Sequence, residues 1–311
     1  MNKEVIYTIK SLYREDMGIN GYRFGKGKKS VCIVGAIRGN EVQQLYICSR
    51  LVSTLKHLEE AGAIAEDREI LVIPSVNHYS MNVSKRFWGN DNTDINRMFP
   101  GYSLGETTQR IADGVFQAVQ GYEYGIQFAS FYMPGDFMPH VRMMETGYHS
   151  PELGSLFGLP YVVLRKPSPF DTTTLNYNWQ IWDTKAFSVY TNETNQIDEE
   201  SAKMAVTAVL RFMAKAGILH YKCCAGYQSS VIREQEMVTI SSDCGGIFRR
   251  LVHHGEEIAS GQPLAEIIDP FEGEVKTVIY APVEGVVFFT HNNPLVMEST
   301  AIFKIIRREN L

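Results

Sequence analysis

Strands and helices alternate through the first two-thirds of the chain, and short strands alone make up the last third. Residues 31–34 form a continuous, β-branched apolar run, which is typical of a buried parallel strand. The apolar residues of the following segment, 42–55, recur at helical spacing. After Tyr221, short strand-like runs alternate with Gly, Pro and Asp turns. The pattern predicts an α/β domain over residues 1–220 and an all-β domain over residues 221–311.

Apolar runs and helical periodicity predict the further elements of the first unit. The long polar connection at residues 77–104 contains aromatic residues and arginines, which favour an ordered segment. Residues 131–149 are rich in Met and Pro and are predicted to form a loop. The expected strands cover residues 31–37, 70–76, 124–129, 161–165 and 186–190. Helices are expected at residues 41–61, 107–119 and 198–216, with a short one opening at residue 150.

Composition excludes several classes of protein. Hydrophobic residues at 44% and charged residues at 21% of the 311-residue chain are ordinary for a soluble globular protein. A formal charge of −5 gives no basic surface for nucleic acid. No apolar run approaches the roughly 20 residues that cross a bilayer, and the N-terminus has no apolar core of a signal peptide. The five cysteines include no Cys-x-x-Cys pair, which favours reduced thiols in a cytoplasmic protein.

Two polar segments follow predicted strands of the first unit. Residues 35–41 read GAIRGNE and lie between a strand and a helix, whereas residues 91–101 read DNTDINRMFPG and follow the next strand. Open α/β sheets bind ligands at the ends of their strands, so we expect both segments to line one crevice.

These two segments resemble the zinc-dependent carboxypeptidases and, more closely, the succinylglutamate desuccinylase/aspartoacylase family. The resemblance implies an α/β fold, a mixed-sheet α/β/α sandwich of the zinc-carboxypeptidase type. It also implies hydrolysis of the amide bond of N-acyl amino acids. In that family, zinc is held by the His and Glu of the motif Gly-x-x-His-Gly-Asn-Glu and by a later His.

The metal-ligand positions implied by the resemblance are altered in this chain. Glu41 is retained, but Arg38 stands at the first His position and Ala129 at the second. Zinc is therefore implied by the family but not by these residues, and we expect no cofactor. Tyr190 falls at the position of the family's general acid/base, with Glu193 three residues further on as a substitute. The candidates to replace the missing ligands beside Glu41 are three other histidines, namely His78, His140 and His149.

The ligand-binding residues implied by the resemblance are retained. Arg86 matches the family's arginine that polarises the substrate carbonyl, and Asn96 with Arg97 matches the pair that holds a carboxylate. A guanidinium pairs with a carboxylate through two parallel charge-assisted hydrogen bonds. The alternative for Arg97 is a structural ion pair. His140 lies in a segment that resembles a substrate-lining loop of the family.

Arg38 has two interpretations. It lies three residues before Glu41, close enough for an ion pair in which its fixed charge replaces part of a zinc ion. Alternatively, it faces solvent at a helix N-terminus, where the helix dipole would disfavour it. That cost favours a partnered arginine.

The last third of the chain resembles the barrel-sandwich fold of biotinyl and lipoyl domains, in residues 245–248, 254–264 and 281–287. A carrier domain needs a Lys at a tight hairpin tip, and residues 269–273, DPFEG, offer none. We expect a structural wall, an oligomer contact in a homo-oligomer, or a partial lid over the cleft.

Three hypotheses of function remain open at this stage. The preferred one is a protein with lost or altered catalysis that binds a small carboxylate, such as an N-acyl amino acid or a peptide-like compound. The second is an active zinc amidohydrolase that uses Glu41 and substitute ligands. The third is a structural or assembly protein whose cleft is vestigial.

Overall fold

The computed structural model describes residues 1–10, 15–131, 133–148 and 150–310. The helices are α1 (Val42–Glu60), α2 (His78–Met81), α3 (Thr107–Val119), α4 (Pro151–Ser155), α5 (Leu175–Ile181) and α6 (Glu199–Lys215). The first ten strands are β1 (Asn2–Ile9), β2 (Met17–Lys26), β3 (Lys28–Ala36), β4 (Arg68–Ser75), β5 (Tyr124–Ala129), β6 (Asp136–Phe137), β7 (His140–Met144), β8 (Tyr161–Arg165), β9 (Lys185–Tyr190) and β10 (Ser230–Arg233). The remaining strands are β11 (Val238–Ser241), β12 (Gly246–Arg250), β13 (Glu257–Ile258), β14 (Pro263–Ile268), β15 (Val275–Tyr280), β16 (Gly285–Thr290), β17 (Leu295–Val296) and β18 (Ala301–Arg307).

A nine-stranded mixed sheet forms the centre of the larger unit, in the order β1-β2-β4-β3-β5-β9-β7-β8-β10. Strands β4, β3, β5 and β9 run parallel, and β7 pairs antiparallel with β9. Helices α1 and α6 cover one face with buried residues such as Leu51 and Phe212. Helices α3 and α5 cover the other with Ile111 and Trp179. This arrangement confirms the predicted α/β architecture with helices on both faces of a mixed sheet.

Two further antiparallel sheets form the C-terminal unit. One has the order β11-β18-β16-β13 and the other β15-β14-β12-β17. Buried side chains that include Phe248, Leu264 and Phe303 form the core of this unit. No helix among the described residues is both long enough and apolar enough to cross a membrane.

The boundary predicted between residues 220 and 221 does not coincide with the division between the sheets. Strand β10 follows that boundary but pairs in parallel with β8 of the large sheet, with Val231 opposite Val162. Strand β6 precedes it but pairs with β16 of the C-terminal unit, with Phe137 opposite Phe289. Local sequence does not predict these pairings. Strand β6 has only two residues and hence no periodic pattern, and both pairings join segments that are far apart in the chain.

The prediction of a loop over residues 131–149 is wrong, because β7 lies within it. All five residues of β7 are buried, and they include His140 and Arg142. These polar side chains interrupt the apolar run by which a buried strand is usually recognised.

Candidate functional site

Glu41 lies at the turn between β3 and α1 and is completely buried. Its Oε2 accepts hydrogen bonds from the backbone N–H groups of Ile37, at 2.8 Å, and Arg38, at 2.9 Å. Its Oε1 accepts from the Ser130 hydroxyl and from Arg38 Nη1, the latter at 3.0 Å. Both carboxylate oxygens are thus already engaged by groups of this chain.

Arg38 lies between two carboxylates and is only 6% exposed. Its Nη1 contacts Glu41, while its Nη2 lies 2.9 Å from Asp94 Oδ2 and its Nε lies 3.1 Å from both Asp94 oxygens. Burial opposes the charged form, but Glu41 and Asp94 outweigh it and raise the pKa of Arg38 above its ordinary value. The predicted ion pair between Arg38 and Glu41 is confirmed, and Asp94 is a second partner that the sequence pattern did not indicate.

The residues at this position do not fit a zinc ion. The guanidinium of Arg38 bonds the carboxylate that would coordinate the metal, and Ala129 offers only a methyl group. No three His, Cys, Asp or Glu side chains are grouped to hold a metal within the described ranges. His149, one of the substitute ligands considered above, lies outside those ranges. A catalytic zinc requires three protein ligands, and this arrangement supplies one carboxylate that is already paired.

Asn96 and Arg97 lie on a short 3-10 turn, Ile95–Arg97, capped by the side chain of Asp94. The Asn96 Oδ1 accepts the backbone N–H of Leu175 at 3.2 Å, so the turn is attached to α5. Arg97 Nη1 donates to the Asn96 carbonyl at 3.1 Å. Among the described residues, Arg97 makes no ion pair with a carboxylate. The structural ion pair considered for Arg97 is therefore not found there.

Arg38, Asn96 and Arg97 line one cavity of about 60 Å³ at the ends of the central strands, which we call the arginine cavity. Arg142, Arg165 and Asn176 also line it, and sequence reasoning missed all three. Its remaining lining residues are Gln127, Ala129, Ser130, Phe131, Met144, Asp171, Thr174, Ser188 and Tyr190. The only sequence signal for Arg142 was a charged residue inside an otherwise apolar stretch.

Arg86 and Glu193 line a second cavity of about 270 Å³, to which Asn292 and Asn293 of the C-terminal unit also contribute. Burial and the nearby charge of Arg38 lower the pKa of Arg86, and its Nε has no hydrogen-bond partner in the described part of the chain. Burial and the charge of Asp136 raise the pKa of Glu193. Phe131 lines both cavities, so they are neighbours.

His140, predicted as a ligand-binding residue, lies inside β7 and lines neither cavity. It is completely buried, its Nδ1 lies 2.8 Å from the Met138 carbonyl, and its ring stacks on Tyr190 at 4.8 Å. Burial and the charge of Arg142 lower the pKa of His140 to about 3. The structure therefore does not bring His140 together with the other candidate residues.

The pKa of His140 predicts loss of stability in mild acid. In the unfolded chain His140 has a pKa of about 6.5, whereas in the folded protein its pKa is about 3. The contribution of His140 to the free energy of unfolding is therefore complete above the pKa of the unfolded chain and is lost as the pH falls below that value. From about pH 7 to about pH 5, His140 alone removes about 2 kcal/mol from the free energy of unfolding. His140→Phe keeps an aromatic ring beside Tyr190 and should flatten the pH dependence, measured by urea unfolding, by that amount.

His57 provides the control, since its side chain is 80% exposed. His57→Phe should retain the loss of stability between about pH 7 and about pH 5, because His140 is still buried in that variant. An equal slope in the His140→Phe variant and the unaltered chain would contradict the assignment of the acid sensitivity to His140.

Comparison with known proteins identifies the family. The family model of the succinylglutamate desuccinylase/aspartoacylase catalytic domain matches residues 27–216. The chain belongs to this family. No curated protein sequence matches the chain. Because the matched region spans β3 to the end of α6, it contains both polar segments that line the cavities.

Several solved structures share the fold over nearly the whole chain. A succinylglutamate desuccinylase from Silicibacter sp. TM1040 superposes with a TM-score of 0.80 at 18% identity, covering 98% of this chain and 93% of its own. A family protein from Rhodobacter sphaeroides has a TM-score of 0.79 at 17% identity, covering 97% and 95%. The product-bound ectoine utilization protein EutE from Ruegeria pomeroyi has a TM-score of 0.78 at 17% identity, covering 93% and 89%. At these identities the similarity establishes the fold alone.

Proposed function

We propose that this desuccinylase/aspartoacylase family member binds a small carboxylate through Arg97 and Asn96, without a catalytic zinc. The observation that carries the proposal is the state of Arg97. Its guanidinium lines the arginine cavity and has no carboxylate partner among the described residues. A cation left without a counter-charge at a cavity favours an anionic ligand, and the planar fork of Arg suits a carboxylate.

The hydrogen bonds and the ion pair of Glu41 support the loss or alteration of catalysis. A metal-dependent hydrolase needs a carboxylate free to coordinate and a bound water to activate. Glu41 instead accepts two backbone N–H groups, a hydroxyl and a guanidinium. We therefore assign Glu41 and Arg38 a role in holding the shape and charge of the site.

The second cavity would take the remainder of the ligand. Arg86 lines a polar site that also contains Glu193, and its buried Nε–H has no hydrogen-bond partner among the residues that the structure describes. The two cavities adjoin at Phe131, so an N-acyl amino acid or a peptide-like compound with its carboxylate on Arg97 would extend toward Arg86.

Arg97→Gln should weaken carboxylate binding about tenfold to a hundredfold, because hydrogen bonds to charged groups contribute about 1.5–3 kcal/mol. The measurement is isothermal titration of the full chain with acetate and with a panel of N-acetyl amino acids. The free energy of unfolding should change by less than about 0.5 kcal/mol, since Arg97 makes no ion pair in the described structure.

Arg50→Gln is the matched control, because Arg50 is exposed on α1 and lines neither cavity. It should leave both affinity and stability unchanged. Equal affinity of the Arg97→Gln and Arg50→Gln variants for every carboxylate that binds would refute the proposed role of Arg97. The absence of any carboxylate binding to the unaltered chain would refute the function itself.

A further inference from the structure

Arg211, near the C-terminal end of α6, is a buried cation with 5% of its surface exposed. Its Nη1 donates to the carbonyls of Phe157 and Gly158, and its Nε donates to the Cys224 carbonyl at 2.8 Å. Among the residues that the structure describes, Arg211 makes no ion pair with a carboxylate. Burying a charge is costly unless a counter-charge accompanies it, so we expect the remaining nitrogen, Nη2, to face an anion.

The partner of that nitrogen is the thiol of Cys224, whose Sγ lies 3.1 Å from Arg211 Nη2. Of the groups that Arg211 contacts, only this sulfur can carry a negative charge. The segment that carries Cys224 closes tightly over the guanidinium. A Cβ added at Gly226, where φ is +80°, would lie 2.7 Å from the guanidinium carbon. The arginine and the thiol are therefore held together by the fold on both sides.

Cys224 also differs from the other cysteines in exposure and in charge. Its side chain is exposed, and the hydrogen bond and the charge of Arg211 lower the pKa of its thiol. Cys32 and Cys48 are completely buried in the core. Cys244 is partly exposed, but burial and the neighbouring Asp243 raise the pKa of its thiol. Cys224 thus combines access to solvent with a cation at the sulfur.

This pair lies at the opposite end of the sheet from the two cavities. Cys224 precedes β10, whose first residue, Ser230, pairs with Tyr161 at the start of β8. The arginine cavity lies at the other end of β8, where Arg165 lines it. Tyr161 and Arg165 are about 13 Å apart along the strand. Chemistry at Cys224 is therefore separate from the proposed carboxylate binding and does not rest on it.

We infer that Cys224 is a reactive thiolate, activated by Arg211, which low-molecular-weight hydroperoxides oxidise. The sulfur attacks one peroxide oxygen, so that an S–O bond forms while the O–O bond breaks. Cys224 loses two electrons and becomes a sulfenic acid. The peroxide is reduced, and its leaving hydroxide takes a proton from solvent to give water. The thiolate is the attacking form, and the guanidinium stabilises that form.

Hydrogen peroxide is the probe, applied to the full chain at pH 7 with dimedone present to trap the sulfenic acid. Peptide mass spectrometry then gives the rate of trapping at each cysteine. Cys224 should be trapped about tenfold or more faster than Cys244, because its larger thiolate fraction outweighs the lower nucleophilicity of a stabilised thiolate. Equal rates at Cys224 and Cys244 would overturn the inference.

Two variants show which of the adjacent thiols reacts. Cys223→Ser should keep the fast trapping, whereas Cys224→Ser should remove it. Fast trapping at Cys223 in the Cys224→Ser variant would mean that the arginine does not select the thiol it contacts, and would overturn the inference.

The pH dependence of alkylation by iodoacetamide tests the part of Arg211. In the unaltered chain, Cys224 should reach half its maximal rate at a lower pH than Cys244. Arg211→Met should raise the midpoint for Cys224 toward about 8.5, the pKa of an ordinary thiol, and Arg211→Lys should raise it less because a cation remains. If Arg211→Met does not fold, the comparison of Cys224 with Cys244 in the unaltered chain still decides. A midpoint for Cys224 at or above that of Cys244, or one unchanged in a folded Arg211→Met variant, would contradict activation by Arg211.

Discussion

The double substitution Arg38→His with Ala129→His is expected to give a protein that binds about one zinc ion per chain, whereas we expect the unaltered chain to bind none. The family resemblance assigns zinc-ligating histidines to these two positions, and Glu41 is the ligand that remains. Arg38 and Ala129 line the same cavity, and Glu41 lies against Arg38. Removing the guanidinium also frees Glu41 Oε1 from its ion pair.

The measurement is metal analysis after treatment with a chelator and reconstitution with zinc, followed by competition against a zinc indicator. Arg38→His alone should bind zinc far more weakly, since it supplies two ligands rather than three. Adding Glu41→Gln to the double variant should remove most of the binding. A folded double variant that takes up no zinc would mean that positions 38 and 129 are not the family's ligand positions. Stoichiometric zinc at Glu41 in the unaltered chain would refute the proposal of a site without metal.

Local patterns were sufficient where an element buries one continuous face. Helix α3 and strand β5 begin and end at the predicted residues, 107–119 and 124–129. The helix has apolar residues at regular helical spacing, and all six residues of the strand are buried. Strand β7 was missed because His140 and Arg142 are buried there by aromatic rings from other segments, namely Phe131 and Tyr190.

The contacts within the site could be predicted only between residues that are close in the sequence. The pair between Arg38 and Glu41 followed from a separation of three residues. Asp94, the second partner of Arg38, comes from a turn 56 residues away, and no local pattern connects the two. Arg165 and Asn176 reach the arginine cavity only because β8 and α5 pack beside the central strands, so their roles depend on tertiary structure.

Arg38→Met is expected to lower the free energy of unfolding by about 3–5 kcal/mol, because it leaves the fully buried Glu41 without its counter-charge. Asp94 loses the same partner, although its side chain is 16% exposed and can be hydrated more readily. Urea unfolding followed by tryptophan fluorescence is a suitable measurement. All three tryptophans, Trp88, Trp179 and Trp182, lie in the α/β unit, so their signal reports the unit that contains the pair.

Two variants show whether the loss comes from the buried charge. Arg50→Met removes an exposed arginine and should change the stability by less than about 0.5 kcal/mol. Adding Glu41→Gln to Arg38→Met should recover part of the loss, since a neutral amide is less costly to bury than an unpaired carboxylate. If Arg38→Met is no more destabilising than Arg50→Met, the ion pair does not stabilise the fold. Recovery of stability in the Arg38→Met, Glu41→Gln variant would mean that Arg38 is needed mainly to neutralise the charge of Glu41. A guanidinium that has taken the place of a metal ion is expected to have this role.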